Sequence, residues 1–488
     1  LSKTILAIDI GSVKICAIIA EINNDRIRII GHGITKSQGV KKGVITNIEQ
    51  ASKSIKQAVS DAKRISGTSI SSATISISNA YARSLNSVGI VNILHKDISI
   101  KEINRVIQAA LYNANVPQEY EVIHVLPYNF KVDDQDFIEN PFNMNASRME
   151  ADVNIIITQK SSLNNLKKAV RSAGIDISGI VLNGYASAIA TMGEDEKELG
   201  VAVIDIGGQT SNLIIHTGNS VRYNDFLAVG SNHITNDLSM ALHTPLKIAE
   251  NVKIRHGNLD EISQDIIELP IIGDENNRNE VSLEIVHSVI LSRAEETLML
   301  LSKLLYKSNL QDQIGAGIIL TGGMTKLDGI RDLAQEIFGD IPIRIAEPNE
   351  IGGLFDELKD PIYSTAIGLL LHGAGKHTEY EINNNNDLLY KKNSKSEDLS
   401  NIQLGINGSE IEDIDNPINQ SKIDLGDIEL GGTVKELQQQ RRLEYTMERE
   451  NDQKDRRRTD FSIEDLPEIP TGNSNPFNKL ANWARQLF

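Results

Sequence analysis

Two aspartates define the chemistry open to this chain. Asp9 and Asp205 each close an apolar run and are each followed by Ile-Gly, in LAIDIGSVKICAIIAE (6–21) and VAVIDIGGQTSNLIIH (201–216). A carboxylate at the end of a strand suits Mg2+, which takes one or two carboxylates and keeps waters and phosphate oxygens around itself. The residues that follow are small and polar: Gly11, Ser12 and Lys14 in the first copy, Gly207, Gly208, Thr210, Ser211 and Asn212 in the second. Glycines there permit a sharp bend that presents backbone N–H groups at close range, a cradle for an anion such as phosphate. One such bend reads as an ordinary turn between core strands. Two, with matching acids, point to duplicated domains facing a shared cleft, where two tips and two acids grip one polyphosphate and its metal.

The elements that must position these tips follow from the patterning. Apolar runs on both sides of each polar tip predict β-hairpins. After the first come a strand over 27–34, a glycine-punctuated turn GVKKGVITN (39–47), a helix over 48–64 and a strand over 72–78. That β-β-β-α-β order is half of a two-lobed α/β fold. Residues 82–153 read as a small inserted domain, with a polar strand, a helix over 100–114 and a proline-bearing stretch. Within it His124, Asp133, Asp134 and Asp136 match no metal-ligand spacing, and the acids read as a solvated loop. A strand over 154–158 and a helix over 161–173 resume the first lobe. Residues 179–193 form a strand end and a small-residue helix leading to the second hairpin. A helix over 238–256 places Lys247, Glu250 and Lys253 near one face. A long helix over 282–307 precedes a buried strand (316–320) and TGGMTKLDG (321–329), a third glycine turn able to bring backbone against a flat ligand such as a base. A helix over 364–372 closes the core.

Composition removes several function classes. A net charge of −17 with no broad basic face argues against bulk nucleic-acid binding. The single cysteine, Cys16, falls in a predicted strand and cannot form an internal disulfide, which fits a reducing cytoplasm. The start of the sequence runs straight into a strand without a signal-peptide pattern, and no apolar run approaches the ~18 residues of a membrane span. From 379 to 473 the chain is rich in Asn, Ser, Asp, Glu and Gln and reads as a disordered tether with a charged helix near 434–449. Such a coil would reach about 50 to 60 Å. It ends in SNPFNKLANWARQLF, where Asn475 caps a helix and Pro476 opens it. Phe477, Leu480, Trp483, Ala484, Leu487 and Phe488 fall on one side, with Lys479 and Arg485 on the other. At about 20 Å that helix is too short to span a bilayer and suited to lie in its interface.

Together these features resemble the actin, Hsp70 and sugar-kinase superfamily, and more narrowly the FtsA family of bacterial cell-division proteins. The superfamily likeness lies in the two DIG hairpins, LNGYASAIAT and LTGGMTKLDG; the narrower one lies in GVKKGVITN, HVLPYNFKVDDQDFIENPFNM, TPLKIAENVKIRHG and the terminal helix. The resemblance implies an actin-like two-lobed fold of duplicated ribonuclease-H-like domains. The first-lobe core would be 1–81 with 154–196 and 357–378, and the inserted domain 82–153. The second-lobe core would be 197–232 with 312–356, its outer subdomain 233–311, the disordered linker 379–474 and the membrane-targeting helix 475–488.

The resemblance also implies a site. Gly11, Ser12, Val13 and Lys14 would face Gly207, Gly208, Gln209 and Thr210 around the phosphates of ATP, with Asp9 and Asp205 orienting Mg2+ through water. Glu250 and Lys253 would meet the ribose and base, and Gly322, Gly323 and Met324 would shelve the adenine. Arg293 and Glu296 fall where the family grips the C-terminal peptide of the tubulin-like protein FtsZ. The implied role is an ATP-binding protein that polymerises head to tail through its inserted domain. It would anchor FtsZ filaments to the cytoplasmic face of the inner membrane at the septum and recruit later divisome proteins. Asn183 departs from the superfamily, many of whose members carry a carboxylate there. An amide cannot take a proton from water, so no catalytic residue is assigned, and ATP is expected as a structural switch with at most weak hydrolysis. A sugar kinase would need a general-base Asp, an Hsp70-like chaperone a β-rich domain after the core, and a pilus-assembly actin homologue would lack the terminal helix.

Overall fold

The computed structural model describes residues 3–23, 26–78, 80, 82–94, 96–218 and 220–390. The terminal helix expected at 475–488, and the expected tether beyond 390, lie outside the described residues.

The first hairpin pairs Lys3–Ile10 with Lys14–Asn23, from Lys3 opposite Ile22 to Ile10 opposite Ile15. Its strands are apolar on both faces because both faces are covered, and such strands read as unbroken hydrophobic runs. Arg26–Lys36 extends the sheet antiparallel on one side. The helix Ile48–Ser66 then returns the chain to the other side. Asn47 starts it by accepting a bond from the Gln50 N–H, and Gly67 ends it in the left-handed region at φ 66°. Ser72–Ile77 pairs parallel with the first strand, and Asp176–Leu182 pairs parallel beside that.

The second lobe repeats this plan strand for strand. Val201–Ile206 and Ser211–Thr217 form its hairpin, Ser220–Leu227 lies antiparallel on one side, and Ile318–Thr321 and Ile343–Ile345 lie parallel on the other. Period-two alternation divides its residues between two cores. Val201, Val203, Ile214 and Ile319 pack with the first-lobe core, while Ala202, Ile204, Leu213 and Ile215 pack with the long helix Leu283–Lys307.

Between the first-lobe strands Ser72–Ile77 and Asp176–Leu182 the chain builds a third sheet. Ala82–Asn92, Tyr120–Val132 and Arg148–Gln159 pair antiparallel under the helix Ile100–Asn113, which Ser99 and Glu102 close with a reciprocal capping box. Ile103, Val106, Phe130, Met149 and Val153 belong to a separate core.

Three expectations are corrected. The strand over 154–158 does not resume the first-lobe sheet; it is the second half of Arg148–Gln159, paired throughout with Ala82–Asn92 and Tyr120–Val132. Ile156 nevertheless faces the first-lobe core while Ile155 and Ile157 face the insert's own, so the strand is a wall shared by both. The helix expected over 238–256 is two helices, Ser231–Ala241 and Leu246–His256. Pro245 lacks the N–H a continuous helix needs and stands at the cap of the second, and His243 turns at φ 49°.

The third correction is the start of the tether: residues 379–390 are folded. Glu381–Ile382 joins the insert's sheet beside Tyr120–Val132, and Leu388–Leu389 pairs back on it. The polar run NNNND is spent on backbone groups. Asn383 Oδ1 accepts from the N–H of Asn385 and of Asp387, closing the turn. Asn384 Oδ1 accepts from the Ile180 N–H, and Asn385 Nδ2 donates to the Ser178 carbonyl, so the pair covers the open edge of the first-lobe sheet.

Candidate functional site

The two hairpin tips face each other across one cleft of about 430 Å³. Each tip is closed by the same bond: the Gly11 N–H donates to the Lys14 carbonyl at 3.1 Å and the Gly207 N–H to that of Thr210 at 2.9 Å. The tips approach so closely that a Cβ built on Gly208 would lie 2.1 Å from Cγ2 of Val13. The turn around Lys42 and Gly43, in left-handed backbone at φ 47° and 77°, bridges the tips. The Gly43 N–H donates to Ser12 Oγ and the Lys42 N–H to Gln209 Oε1, both at 2.8 Å.

Both acids are buried at the floor of this cleft. Asp9 accepts from Ser76 Oγ at 3.1 Å on one oxygen, with Lys14 Nζ 3.6 Å from the other. The Lys14 ammonium also stands 5.0 Å over the ring of Tyr363. Asp205 accepts from Ser187 Oγ at 2.7 Å and Thr365 Oγ1 at 3.2 Å, both on Oδ2. Burial pushes its pKa up, the charge of Asp9 adds to that, and the two hydroxyls only partly counter it. Two buried carboxylates that repel each other are a donor set that a hydrated divalent cation relieves.

The far wall comes from the second lobe. Lys253, 7% exposed, donates to Glu250 Oε2 at 2.8 Å, Thr235 Oγ1 at 2.9 Å and the Ser231 carbonyl at 3.3 Å; the Thr235 hydroxyl bonds Glu250 as well. A buried ammonium needs such a full set of acceptors. Gly322, at φ 91°, lies against the acid tip: a Cβ there would sit 2.4 Å from Asp205 Oδ1. Gly323 and Met324 follow in a 3-10 turn, Gly323–Lys326.

All fifteen residues singled out at the tips, the acids and the far wall line this one cleft: Asp9, Gly11, Ser12, Val13, Lys14, Asp205, Gly207, Gly208, Gln209, Thr210, Glu250, Lys253, Gly322, Gly323 and Met324. Asn183 lines it too, with its Oδ1 buried and unpartnered, as is that of Asn212. Sequence reasoning missed Ser231, Asn232 and Thr365 as lining residues. Ser231 and Asn232 begin a helix directly against the second tip, their N–H groups donating to the Gly207 and Gly208 carbonyls at 3.0 and 2.7 Å. The signal was present as Gly-Ser-Asn before an apolar periodic run. Thr365 carried no local signal.

Other singled-out residues stand apart. Arg293 and Glu296 do not line the cleft; on the long helix Arg293 forks onto Asp237, at 2.5 and 3.2 Å, and also pairs with Glu296. His124 is fully buried in a strand, away from the solvated-loop reading of its neighbours. Asp133 accepts from the N–H groups of Ser147 and Arg148 at the surface. Cys16 is buried, and burial pushes its thiol up to about 12, so it stays an inert core group. Phe477, Lys479, Leu480, Trp483, Ala484, Arg485, Leu487 and Phe488, expected to meet a membrane, lie outside the described residues. No helix among the described residues is long and apolar enough to cross a membrane.

With this geometry in view, the comparisons are specific. A family model described as "Cell division protein FtsA" matches residues 202–368, and one described as "SHS2 domain inserted in FTSA" matches 79–157. The chain is similar to "Cell division protein FtsA" of Helicobacter pylori (strain ATCC 700392 / 26695), 38% identical over 411 residues, covering 78% of this chain and 83% of the relative. The protein of the same description from Pseudomonas aeruginosa is 37% identical over 381 residues, covering 77% and 91%. A solved structure, "PilM-PilN type IV pilus biogenesis complex", matches with TM-score 0.56 at 16% identity over 76% of this chain and 98% of that one, a likeness of fold alone.

Proposed function

The chain belongs to the FtsA family of actin-like cell-division proteins, and from that premise we propose that it binds ATP with Mg2+ in the cleft, assembles into filaments and ties FtsZ polymers to the membrane. One observation supports the nucleotide part above the rest: two acid-ended hairpins of the same design converge on a single crevice, with every tip glycine lining it. The glycine tips fit a phosphate chain because bare backbone can present its N–H groups to an anion at close range, and Gly208 lets the two tips approach where a Cβ would strike Val13. Asp9 and Asp205 would hold Mg2+ through water, and its charge would neutralise the phosphates. Lys14 adds a cation to the first tip, Glu250 and Lys253 would meet the ribose and base, and Gly322, Gly323 and Met324 offer a flat backbone shelf.

Hydrolysis is the weaker half of this chemistry. The cleft places an amide, Asn183, at the start of the helix behind the tips, and an amide accepts no proton from an attacking water. Positioning and charge neutralisation remain, enough for slow turnover. Bound nucleotide therefore acts first as a clamp. It adds contacts between lobes already bridged by the Lys42 and Gln209 bond.

On the same reading the inserted sheet mediates head-to-tail subunit contacts, a heterologous interface that builds open filaments. Arg293 and Glu296 lie on the helix that would receive the FtsZ tail peptide, and other divisome proteins would be recruited to the assembled filament. The helix at 475–488 would bind the cytoplasmic face of the inner membrane at the septum, its modest single-copy affinity multiplied by avidity. The test is co-sedimentation with anionic liposomes, using the full chain and a 1–474 truncation, with and without ATP and Mg2+. Pelleting of the full chain but not of the truncation is expected, and equal pelleting of both would refute the anchor.

A further inference from the structure

Behind the cleft lies a buried polar hub that the nucleotide site does not use. Glu381, fully buried, takes His124 Nδ1 on Oε1 at 2.6 Å and His372 Nε2 on the same oxygen at 3.2 Å. The Tyr185 hydroxyl donates to Oε2 at 2.9 Å and accepts from the Thr378 N–H at 2.8 Å. The two histidines and the carboxylate place ligand-type atoms within 4.8 Å of one another, the outline of a metal site. One bond rules against that. The Leu182 N–H donates to His124 Nε2 at 3.1 Å, so the ring proton is on Nδ1, which donates it to Glu381 and leaves no lone pair for a metal. The hub is a hydrogen-bonded junction.

What it joins is specific. Tyr185 stands on the helix Asn183–Thr191, and two residues further along that helix Ser187 bonds Asp205 in the cleft. His372 stands at the end of the helix Ser364–Gly373, whose Thr365 bonds the same Asp205 oxygen. Ser187 and Thr365 are 2.8 Å apart, and the helices touch so closely that a Cβ on Gly368 would lie 1.7 Å from the Ala186 carbonyl oxygen. The two helices are packed as one unit. At one end it holds the acid of the cleft, at the other the carboxylate of Glu381, on the last folded strands before residue 391.

That strand is held lightly by its backbone. Ile382 opposite Val125 is its one bridge to the insert's sheet. Side chains do the rest: the hub at Glu381, Tyr380 and Ile382 in the insert's core, and Asn384 and Asn385 on the edge of the first-lobe sheet. A buried ionic network contributes little net stability, because desolvation offsets its attraction. The segment 379–390 is thus a local unit at the edge of two sheets, of the kind that can open without global unfolding.

We propose that the Glu381 hub is a clasp coupling the cleft to the root of the C-terminal segment, holding residues 379–390 on the fold when the cleft is occupied and releasing them when it is not. The inference rests on the nucleotide reading above. When released, residues 379–390 uncover the sheet edge that Asn384 and Asn385 protect.

The test is hydrogen–deuterium exchange on the full chain with and without ATP and Mg2+, followed by mass spectrometry of peptides covering 201–216 and 377–390. Nucleotide should slow exchange in both, by on the order of tenfold at 377–390. Tyr185→Phe, which removes one hydroxyl from the hub and none from the cleft, should keep the protection at 201–216 and lose most of that at 377–390. Glu381→Gln should do the same. Protection at 201–216 with no change at 377–390 in the natural sequence would overturn the clasp alone, as would an unaltered response in both variants. No protection at 201–216 would overturn the nucleotide reading and the clasp with it.

Discussion

Gly230→Ala tests whether the second tip is held in place from behind. Gly230 is extended, at φ −167° and ψ −173°, a conformation any residue adopts, so backbone strain is not at issue. Space is. A methyl there would lie 2.5 Å from the Gly207 carbonyl oxygen, 2.7 Å from the Gly208 carbonyl carbon and 2.8 Å from its oxygen. An ordinary contact begins near 3.4 Å, so the tip must retreat by 3.4 − 2.5 = 0.9 Å. All three atoms are backbone, and no side chain can turn aside. The retreat would also pull on the two bonds from Ser231 and Asn232 that pin the tip, 3.0 and 2.7 Å long. Overpacking of this kind costs about 1–3 kcal/mol. Where binding must press the tip back against that methyl, as much as the same amount is lost from affinity, up to about 150-fold, since ~1.4 kcal/mol is tenfold. Titration of a fluorescent ATP analogue in Mg2+ measures it, with Gly179→Ala as control because its methyl would meet only Thr74 at 3.7 Å. A folded Gly230→Ala protein that binds the analogue as tightly as the natural sequence would refute the pinned tip.

Three further outcomes are expected. Asn183→Asp should raise ATP turnover by about 10²-fold or more, the usual contribution of a general base; phosphate release measures it, and an unchanged rate would remove Asn183 as the reason for weak hydrolysis. Gly33→Ala should destabilise the first lobe by about 1–3 kcal/mol or more, because its methyl would lie 2.0 Å from the Ala58 carbonyl oxygen of the packed helix; denaturant unfolding reads this out. Burial, aided by the charge of Lys197, pushes His216 down to about 4 from 6.5. Between those values the unfolded chain binds a proton the native state refuses, so stability is full above pH 6.5 and falls as pH drops towards 4, by about 3 kcal/mol from this group. Unfolding curves across that range should flatten in His216→Leu, and an identical pH slope would dismiss the histidine.

Short-range features were legible in the amino-acid order. The DIG hairpins declared themselves because strand, acid and glycine tip occupy consecutive residues, and their repetition at 9 and 205 announced two lobes. The helix Ile48–Ser66 did so through its Asn47 cap and apolar spacing. Periodicity alone failed over 238–256, where apolar spacing runs on through a break that Pro245 imposes. Composition failed at NNNND. Asparagine that is solvated in a linker and asparagine that satisfies an open sheet edge are the same letter, and only the facing strand Asp176–Leu182 distinguishes them.

What the sequence determined by itself is therefore local: which segments bend, which carry acids, and that one design occurs twice. Convergence was decided by the tertiary structure. Asp205 meets Ser187 and Thr365 across 18 and 160 residues of chain, and Glu381 meets His124 across 257. Such contacts follow from how two sheets and an insert close around shared helices, a geometry set by the packing of the whole chain and carried by no single stretch of it.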